Sequence, residues 1–117
     1  MEKKPDDILQ QEILKERAEV LSRAGHSVEQ ALINLRVLEE SIEGQCRDLH
    51  RTGHRTAISG EIKEINSKIN RYNRLREYAK LRYHYLIITR EAIGLRRHHR
   101  IEEIYPIPPK KRHLQET

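Results

Sequence analysis

The fold is decided by residues 61–95, which read EIKEINSKINRYNRLREYAKLRYHYLIITREAIGL. Two apolar stripes run through this stretch at steps of three and four residues, which is the spacing of one face of an α-helix. The first stripe consists of Ile62, Ile65, Ile69, Tyr72, Leu75, Ala79, Tyr83, Leu86 and Ile93, and the second of Tyr78, Leu81, Tyr85, Ile88, Ala92 and Leu95. At about 100° per residue the stripes lie on opposite sides of one helix. We therefore predict a single long helix over residues 60–95 or slightly beyond.

The second stripe predicts a homodimer. A helix of this length spans roughly 50 Å, whereas a compact domain of about 100 residues has a radius of gyration near 13 Å. One small bundle cannot cover two opposite faces of such a helix, and a second copy in a two-fold dimer is the commonest cover. The predicted dimer interface consists of Tyr78, Leu81, Tyr85, Ile88, Ala92 and Leu95. The alternative is a helix that breaks at or before Gly94, with both stripes folded into one core.

Two shorter helices are predicted before the long one. Pro5-Asp6-Asp7 is a helix start, because acidic residues suit the positive end of the helix dipole. Gly25 is a stop, since glycine accepts positive φ, and Ser27 caps the next helix. With a turn at 25–27, helices over about 6–24 and 28–52 form an antiparallel hairpin on the long helix, and the stretch from Thr52 to Gly60 is a loop. The prediction is an all-α, three-helix bundle-like single domain over residues 1–105.

Residues 106–117 are predicted to form an extended, proline-rich, basic tail. Pro106, Pro108 and Pro109 cannot continue a helix, and such a segment favours polyproline II geometry. We expect Ile107 to pack along the bundle and the polar end to be disordered. The alternative is that the Pro-x-x-Pro core and Lys110 dock in an aromatic groove of a partner.

Composition and charge exclude several classes of protein. The chain has 117 residues with 23 basic and 18 acidic side chains, and the excess of basic residues falls in residues 60–117. A single cysteine excludes a disulfide within the chain, and there is neither a signal peptide nor an apolar run long enough to cross a membrane. Phosphate-binding, dinucleotide-binding and nucleophile-elbow motifs are absent from the sequence. We expect a cytoplasmic protein that is not an enzyme and binds no cofactor and no membrane.

A weak metal site is one candidate. Cys46, His50 and His54 are spaced i, i+4, i+8 and would stack on one face of a continuous helix. Thiolate and imidazole suit zinc, but a structural site needs four ligands. The alternative is a core cysteine with two surface histidines.

Basic residues form two further candidates. Arg71, Arg74 and Arg82 alternate with tyrosines, a combination that suits contact with phosphates and bases. Arg96, Arg97 and Arg100 cluster near the end of the long helix and are candidates for an anion or nucleic acid. The alternative is a solvated, salt-bridged helix whose last cations complement the helix dipole.

Arg90 lies on the first apolar stripe and needs a partner. A carboxylate of the first helix, from Glu12, Glu16 or Glu19, would supply one. We predict a partly buried ion pair.

Two blocks resemble a family of small bacterial α-helical proteins to which no activity is assigned. One block is the stretch from Glu12 to Ala18, and the other is the stretch from Thr89 to Arg96 followed by Tyr105-Pro106-Ile107-Pro108. The resemblance implies an α-helical domain and leaves function open. From the residues themselves, the predicted function is a non-enzymatic helical interaction module that acts as a homodimer or with an unidentified protein partner. The alternatives are a nucleic-acid-binding protein and a metal- or ligand-binding bundle.

Overall fold

The protein is a chain of α-helices. The structure, a computed structural model, describes residues 4–52 and 55–115, and the side chains of residues 4–51 and 59–115. It contains α1 (Pro5–Thr52), α2 (Arg55–Ala92) and α3 (His99–Ile104). All regular secondary structure within these described residues is helical, which confirms the all-α prediction. None of the helices in this part of the chain has the combination of length and apolar character that a bilayer span requires.

The helix α1 is continuous through Gly25, so the predicted turn at 25–27 and the hairpin of two shorter helices are wrong. Glycine in a helix interior costs only about 1 kcal/mol relative to alanine. The apolar positions pass through Gly25 without a change of phase, at the steps of three and four residues that one uninterrupted helix requires. These positions are Leu21, Ala24, Val28, Ala31, Leu35, Leu38 and Ile42. A turn would have shifted that phase.

The helix α2 begins earlier and ends earlier than predicted. It is helical from Arg55, where a loop was expected, because no proline stops the helix from extending toward its N-terminus and extension costs little once a helix has nucleated. The part of the predicted loop at 53–54 lies outside the described residues. The helix ends at Ala92 rather than near residue 95, because Gly94 adopts a φ of 93°. Leu95 N–H donates to the Arg90 carbonyl at 2.9 Å and Gly94 N–H to the Glu91 carbonyl at 3.0 Å, the pattern of a glycine C-cap.

The described residues group into two compact units. Unit 1 contains residues 4–29 and 81–106, and unit 2 contains residues 30–80 and 107–115. In unit 2, α1 and α2 contact each other through a core of buried side chains. Its buried members are Ala31, Leu35, Ile42, Ile65, Ile69, Tyr72 and Ala79. Ile65, Ile69, Tyr72 and Ala79 belong to the first stripe of α2, so this face was identified correctly from the sequence.

Unit 1 has a smaller buried centre. Val28 of α1 and Leu86 of α2 are buried, whereas all side chains from residue 4 to residue 20 are exposed. A cavity of about 480 Å³ is lined by residues of α1 from Ala18 onward, together with Arg90 of α2 and Tyr105. The preceding part of α1 does not line this cavity, and Leu9, Ile13 and Leu14 are exposed.

Candidate functional site

The second stripe of α2 lies at the surface of the chain. Leu81 is 51%, Tyr85 52% and Ile88 48% exposed, and Ala92 is also exposed. The Arg82 guanidinium lies 5.9 Å from the centre of the Tyr85 ring, within range of a cation–π interaction.

Two members of the predicted interface fall elsewhere. Leu95 lies beyond the end of α2, so it does not continue the helical face. Tyr78, also exposed, belongs to unit 2. The stripe within unit 1 therefore runs from Leu81 to Ala92.

The first part of α1 presents a second exposed apolar face. Leu9, Ile13 and Val20 are all exposed, and their steps of four and seven residues place them on one side of the helix. No other described part of unit 1 buries them.

The structure describes two of the three metal candidates. Cys46 is half-buried with a free thiol and packs against the core of unit 2, whereas His50 is exposed on α1. His54 lies outside the described residues. Nowhere in residues 4–52 and 55–115 do three histidine, cysteine or acidic side chains form a group that could hold a metal ion.

The candidate arginines are divided between the units. Arg71 and Arg74 are exposed on α2 in unit 2, whereas the other four belong to unit 1. Arg96, Arg97 and Arg100 are exposed around the start of α3. The six residues therefore do not all belong to one compact unit.

Arg90 has different partners from those predicted. Its Nε donates to His98 Nδ1 at 3.3 Å, and a terminal guanidinium nitrogen donates to the Arg97 carbonyl at 3.0 Å. The Gly94 cap turns the chain back and brings His98 to Arg90. The predicted partners Glu12, Glu16 and Glu19 are exposed on the first part of α1.

The tail is held along α2 by side chains that were not identified from the sequence. Asn73 Nδ2 donates to the Lys111 carbonyl at 3.0 Å, and Asn73 Oδ1 accepts from Lys111 N–H at 2.9 Å. Asn66 makes the same pair with Leu114, at 3.0 Å and 2.7 Å. An amide side chain can do this because it carries a donor and an acceptor side by side. The expected packing of Ile107 is confirmed, whereas the expected disorder of the polar end is wrong for the part up to Leu114.

Further contacts fix the tail at both ends. Arg76 Nε donates to the Pro108 carbonyl at 2.6 Å, and the His113 ring contacts the Asn70 side-chain oxygen. Ile107 and Leu114 pack against the core of unit 2. We use the term tail groove for the surface formed by Asn66, Asn70, Asn73 and Arg76 of α2 with Glu39 of α1.

A charged cluster lies at the middle of the tail groove. Lys111 Nζ is 3.0 Å from Glu39 Oε2 and 5.0 Å from the centre of the Tyr72 ring. The Tyr72 hydroxyl donates to the same Glu39 oxygen at 3.3 Å. Burial, with the nearby Glu39 carboxylate, raises the pKa of Tyr72 to about 12. The tyrosine therefore remains a neutral donor well above pH 10.

A signal for the tail groove was present in the sequence. Asn66, Asn70 and Asn73 each follow a core residue of the first stripe by one position, at steps of four and three. Asparagine is a poor helix former, so three of them on one edge of a helix indicate that the edge has a partner. The sequence of the tail does not show that it is this partner.

No protein-family model matches the chain, and neither does any curated protein or any solved structure. The resemblance to the small bacterial helical family stays a prediction.

Proposed function

We propose that the protein is a non-enzymatic helical interaction module that acts as a homodimer. The observation that supports this most directly is the exposed apolar stripe of Leu81, Tyr85 and Ile88, which are each about half exposed. Isolated surface leucines are ordinary, but a continuous apolar stripe on a helix is typical of an interaction surface. Its steps of four and three residues are those of a coiled-coil seam.

The first part of α1 supports a second copy as the partner. Residues 5–20 hold five acidic and two basic side chains, whereas residues 81–100 hold five basic and one acidic. Both segments carry exposed apolar residues. In a two-fold dimer each copy can place its acidic segment on the basic segment of the other, so that opposite charges flank an apolar seam.

Two further parts of the proposal concern arrangement and location. In unit 2, the Lys68 side chain hydrogen-bonds Ser41 and the Tyr72 side chain hydrogen-bonds Glu39. As the residue number rises in α2 it falls in α1, and this supports α1 and α2 as an antiparallel pair.

For the location, Cys46 is a free thiol, which suits the reducing conditions of the cytoplasm.

Sedimentation tests the dimer. We expect the wild-type protein to sediment at twice the 14.0 kDa chain mass, with a concentration-dependent transition to monomer. The double substitution Leu81→Asp and Ile88→Asp should leave a monomer, because it puts two charges into the apolar seam.

The matched control is Val37→Asp, at a side chain that is 62% exposed in unit 2. This variant should associate as the wild type does. If the sedimenting mass of the wild-type protein stays at 14.0 kDa up to millimolar concentration, the proposal is wrong.

Binding of a polyanion such as nucleic acid is a second candidate function. It is favoured by Arg96, Arg97 and Arg100, which are exposed within five consecutive residues. Fluorescence anisotropy with labelled duplex DNA at about 50 mM and about 300 mM salt tests it, because binding through phosphates weakens steeply with salt. The triple substitution of these arginines by glutamine should remove the binding. No binding at the lower salt concentration would end this candidate.

A further inference from the structure

The tail groove holds its occupant mainly through the peptide main chain. Asn66 and Asn73 each bond both the N–H and the carbonyl of one tail residue, and Arg76 bonds a carbonyl alone. Recognition through main-chain groups is how proteins hold extended peptides from other chains, with side-chain pockets adding specificity. Nothing in these bonds requires the peptide to be covalently linked to the groove.

The spacing of the groove fits an extended peptide. Asn66 and Asn73 are two helical turns apart, about 10.5 Å along α2, and the tail residues that they bond are three positions apart, about 9–10 Å in extended chain. Pro108 contributes only its carbonyl, so a proline is tolerated there. Lys111 and Leu114 donate their N–H groups, so a proline is excluded at both positions.

Side chains add a defined pattern. The Lys111 ammonium lies between the Glu39 carboxylate and the Tyr72 ring, so the groove selects a cation at this position. Ile107 and Leu114 place apolar groups against the core on either side of it. The groove thus selects an apolar residue, a cation four positions later and a second apolar residue three positions after that.

The tail does not fill the groove. A cavity of about 440 Å³ lies beside Leu114, with the apolar side chains of Ile42, Cys46 and Ile69 in its wall. A leucine leaves this space open, whereas phenylalanine or methionine would bury more apolar surface in it. The Leu114 side chain of the tail is therefore not the side chain that would fill this cavity best.

We propose that the tail groove is a binding site for an extended segment of another protein, with a lysine or arginine at the Lys111 position and a bulky apolar residue at the Leu114 position. The tail is the resident occupant and is displaced by such a segment. This site lies in unit 2 and the stripe lies in unit 1, so the proposal stands or falls independently of the homodimer.

The covalent link of the tail sets the strength of competition. A short flexible link gives an effective concentration in the millimolar range. If the dissociation constant of the tail itself for the groove is near 10 µM, a free peptide therefore binds roughly 100-fold more weakly to the wild-type chain than to a chain whose tail has been released.

The test uses the full chain and a labelled peptide. The probe is a fluorescent peptide of residues 106–115 with Leu114→Phe. The released-tail variant carries Lys111→Glu and Leu114→Asp, which disrupt the tail and leave the groove residues intact. We expect fluorescence anisotropy to show at least tenfold tighter binding to this variant than to the wild type.

Two controls make the result specific. Adding Asn66→Ala and Asn73→Ala to the released-tail variant should abolish binding, and alanine suits both helical positions. A probe with Lys111→Glu should not bind any of the proteins. Equal affinity for the wild type and the released-tail variant, or for the variants with and without the two asparagines, overturns the proposal.

A second measurement covers the case in which the released-tail variant loses its helical circular dichroism. Excess unlabelled peptide is then added to the isotope-labelled wild-type protein, and the amide signals of Lys111 and Leu114 are followed by NMR. We expect both to shift toward their positions in unfolded chain as the tail is displaced. Unchanged signals at millimolar peptide overturn the proposal.

Discussion

A single buried tyrosine connects the core of unit 2 to its tail. Tyr72 is 1% exposed, yet its hydroxyl reaches Glu39, which in turn bonds Lys111. A buried hydroxyl requires such a partner, because an unpaired polar group in the interior is costly. The side chain therefore contributes both apolar burial and the orientation of the carboxylate that holds the tail.

The raised pKa of Tyr72 predicts a loss of stability in alkali. The folded pKa is about 12 against an ordinary value of 10.0, so the stability is fully present below pH 10 and is lost as the pH rises through about 12. One pKa unit corresponds to about 1.4 kcal/mol, so the loss is on the order of 2 kcal/mol. The measurement is urea unfolding of the wild type and Tyr72→Phe at several pH values. Parallel pH profiles of the two proteins would contradict the assignment.

The asparagine pairs predict a local effect on the tail. Asn73→Ala removes both bonds to Lys111 and should lower the free energy of unfolding by about 1 kcal/mol, since each such bond contributes about that much and alanine regains part of it as a better helix former. Hydrogen exchange at Lys111 should accelerate more than exchange in α1. Asn34→Ala is the matched control, because Asn34 bonds only the exposed Gln30. Equal losses in both variants would mean that the tail bonds contribute nothing specific.

At the scale of the element, two glycines with the same sequence appearance have opposite roles. Gly94 has a φ of 93° and ends α2, whereas Gly25 lies within α1. The difference is in the apolar phase: it continues for several turns beyond Gly25, whereas beyond Gly94 only Leu95 follows before the polar run of residues 96–100. A glycine alone does not distinguish a helix C-cap from a helix interior. The phase of the apolar positions on both sides of the glycine is also needed.

Substitutions at Gly60, within α2, and at Gly94, in its C-cap, test these two roles of glycine. Gly60→Ala should stabilise the protein by about 0.5–1 kcal/mol, because the position is helical and an added Cβ meets no atom within 4 Å. Gly94→Ala should destabilise it by about 1 kcal/mol, because alanine is strained at positive φ. Thermal unfolding of the two variants measures both effects. A stabilising Gly94→Ala would show that the cap is not formed in solution.

At the scale of the whole molecule, the sequence predicts what is periodic and misses what is not. The all-α class and the buried first stripe of α2 follow from steps of three and four residues, and both are confirmed. The tail groove depends on asparagine side chains that bond main-chain groups. Since nearly every residue carries the same main-chain groups, the sequence does not show which segment these asparagines bond. For the same reason the partners of Arg90 were missed: one of them is a carbonyl.

The charge distribution predicts how the proposed dimer responds to salt. In the proposed dimer the acidic segment of residues 5–20 faces the basic segment of residues 81–100 of the other copy, and salt screens exposed charges. Raising the salt from about 0.05 M to about 0.5 M should weaken dimerisation about tenfold, while the apolar seam keeps some association. Sedimentation equilibrium over this range measures the change. Dimerisation that strengthens with salt would show that the seam alone drives association and that the charges do not meet.

The composition of unit 2 has a consequence for synthesis. Its core side chains come from residues 30–80, but the segment that covers them begins only at residue 107. At about 5–20 residues per second, the ribosome takes on the order of seconds to make the chain between. Because residues leave the ribosome in chain order, the groove residues of each new copy emerge before the tail that covers them, and in that interval the proposed site is open to another polypeptide with the matching pattern.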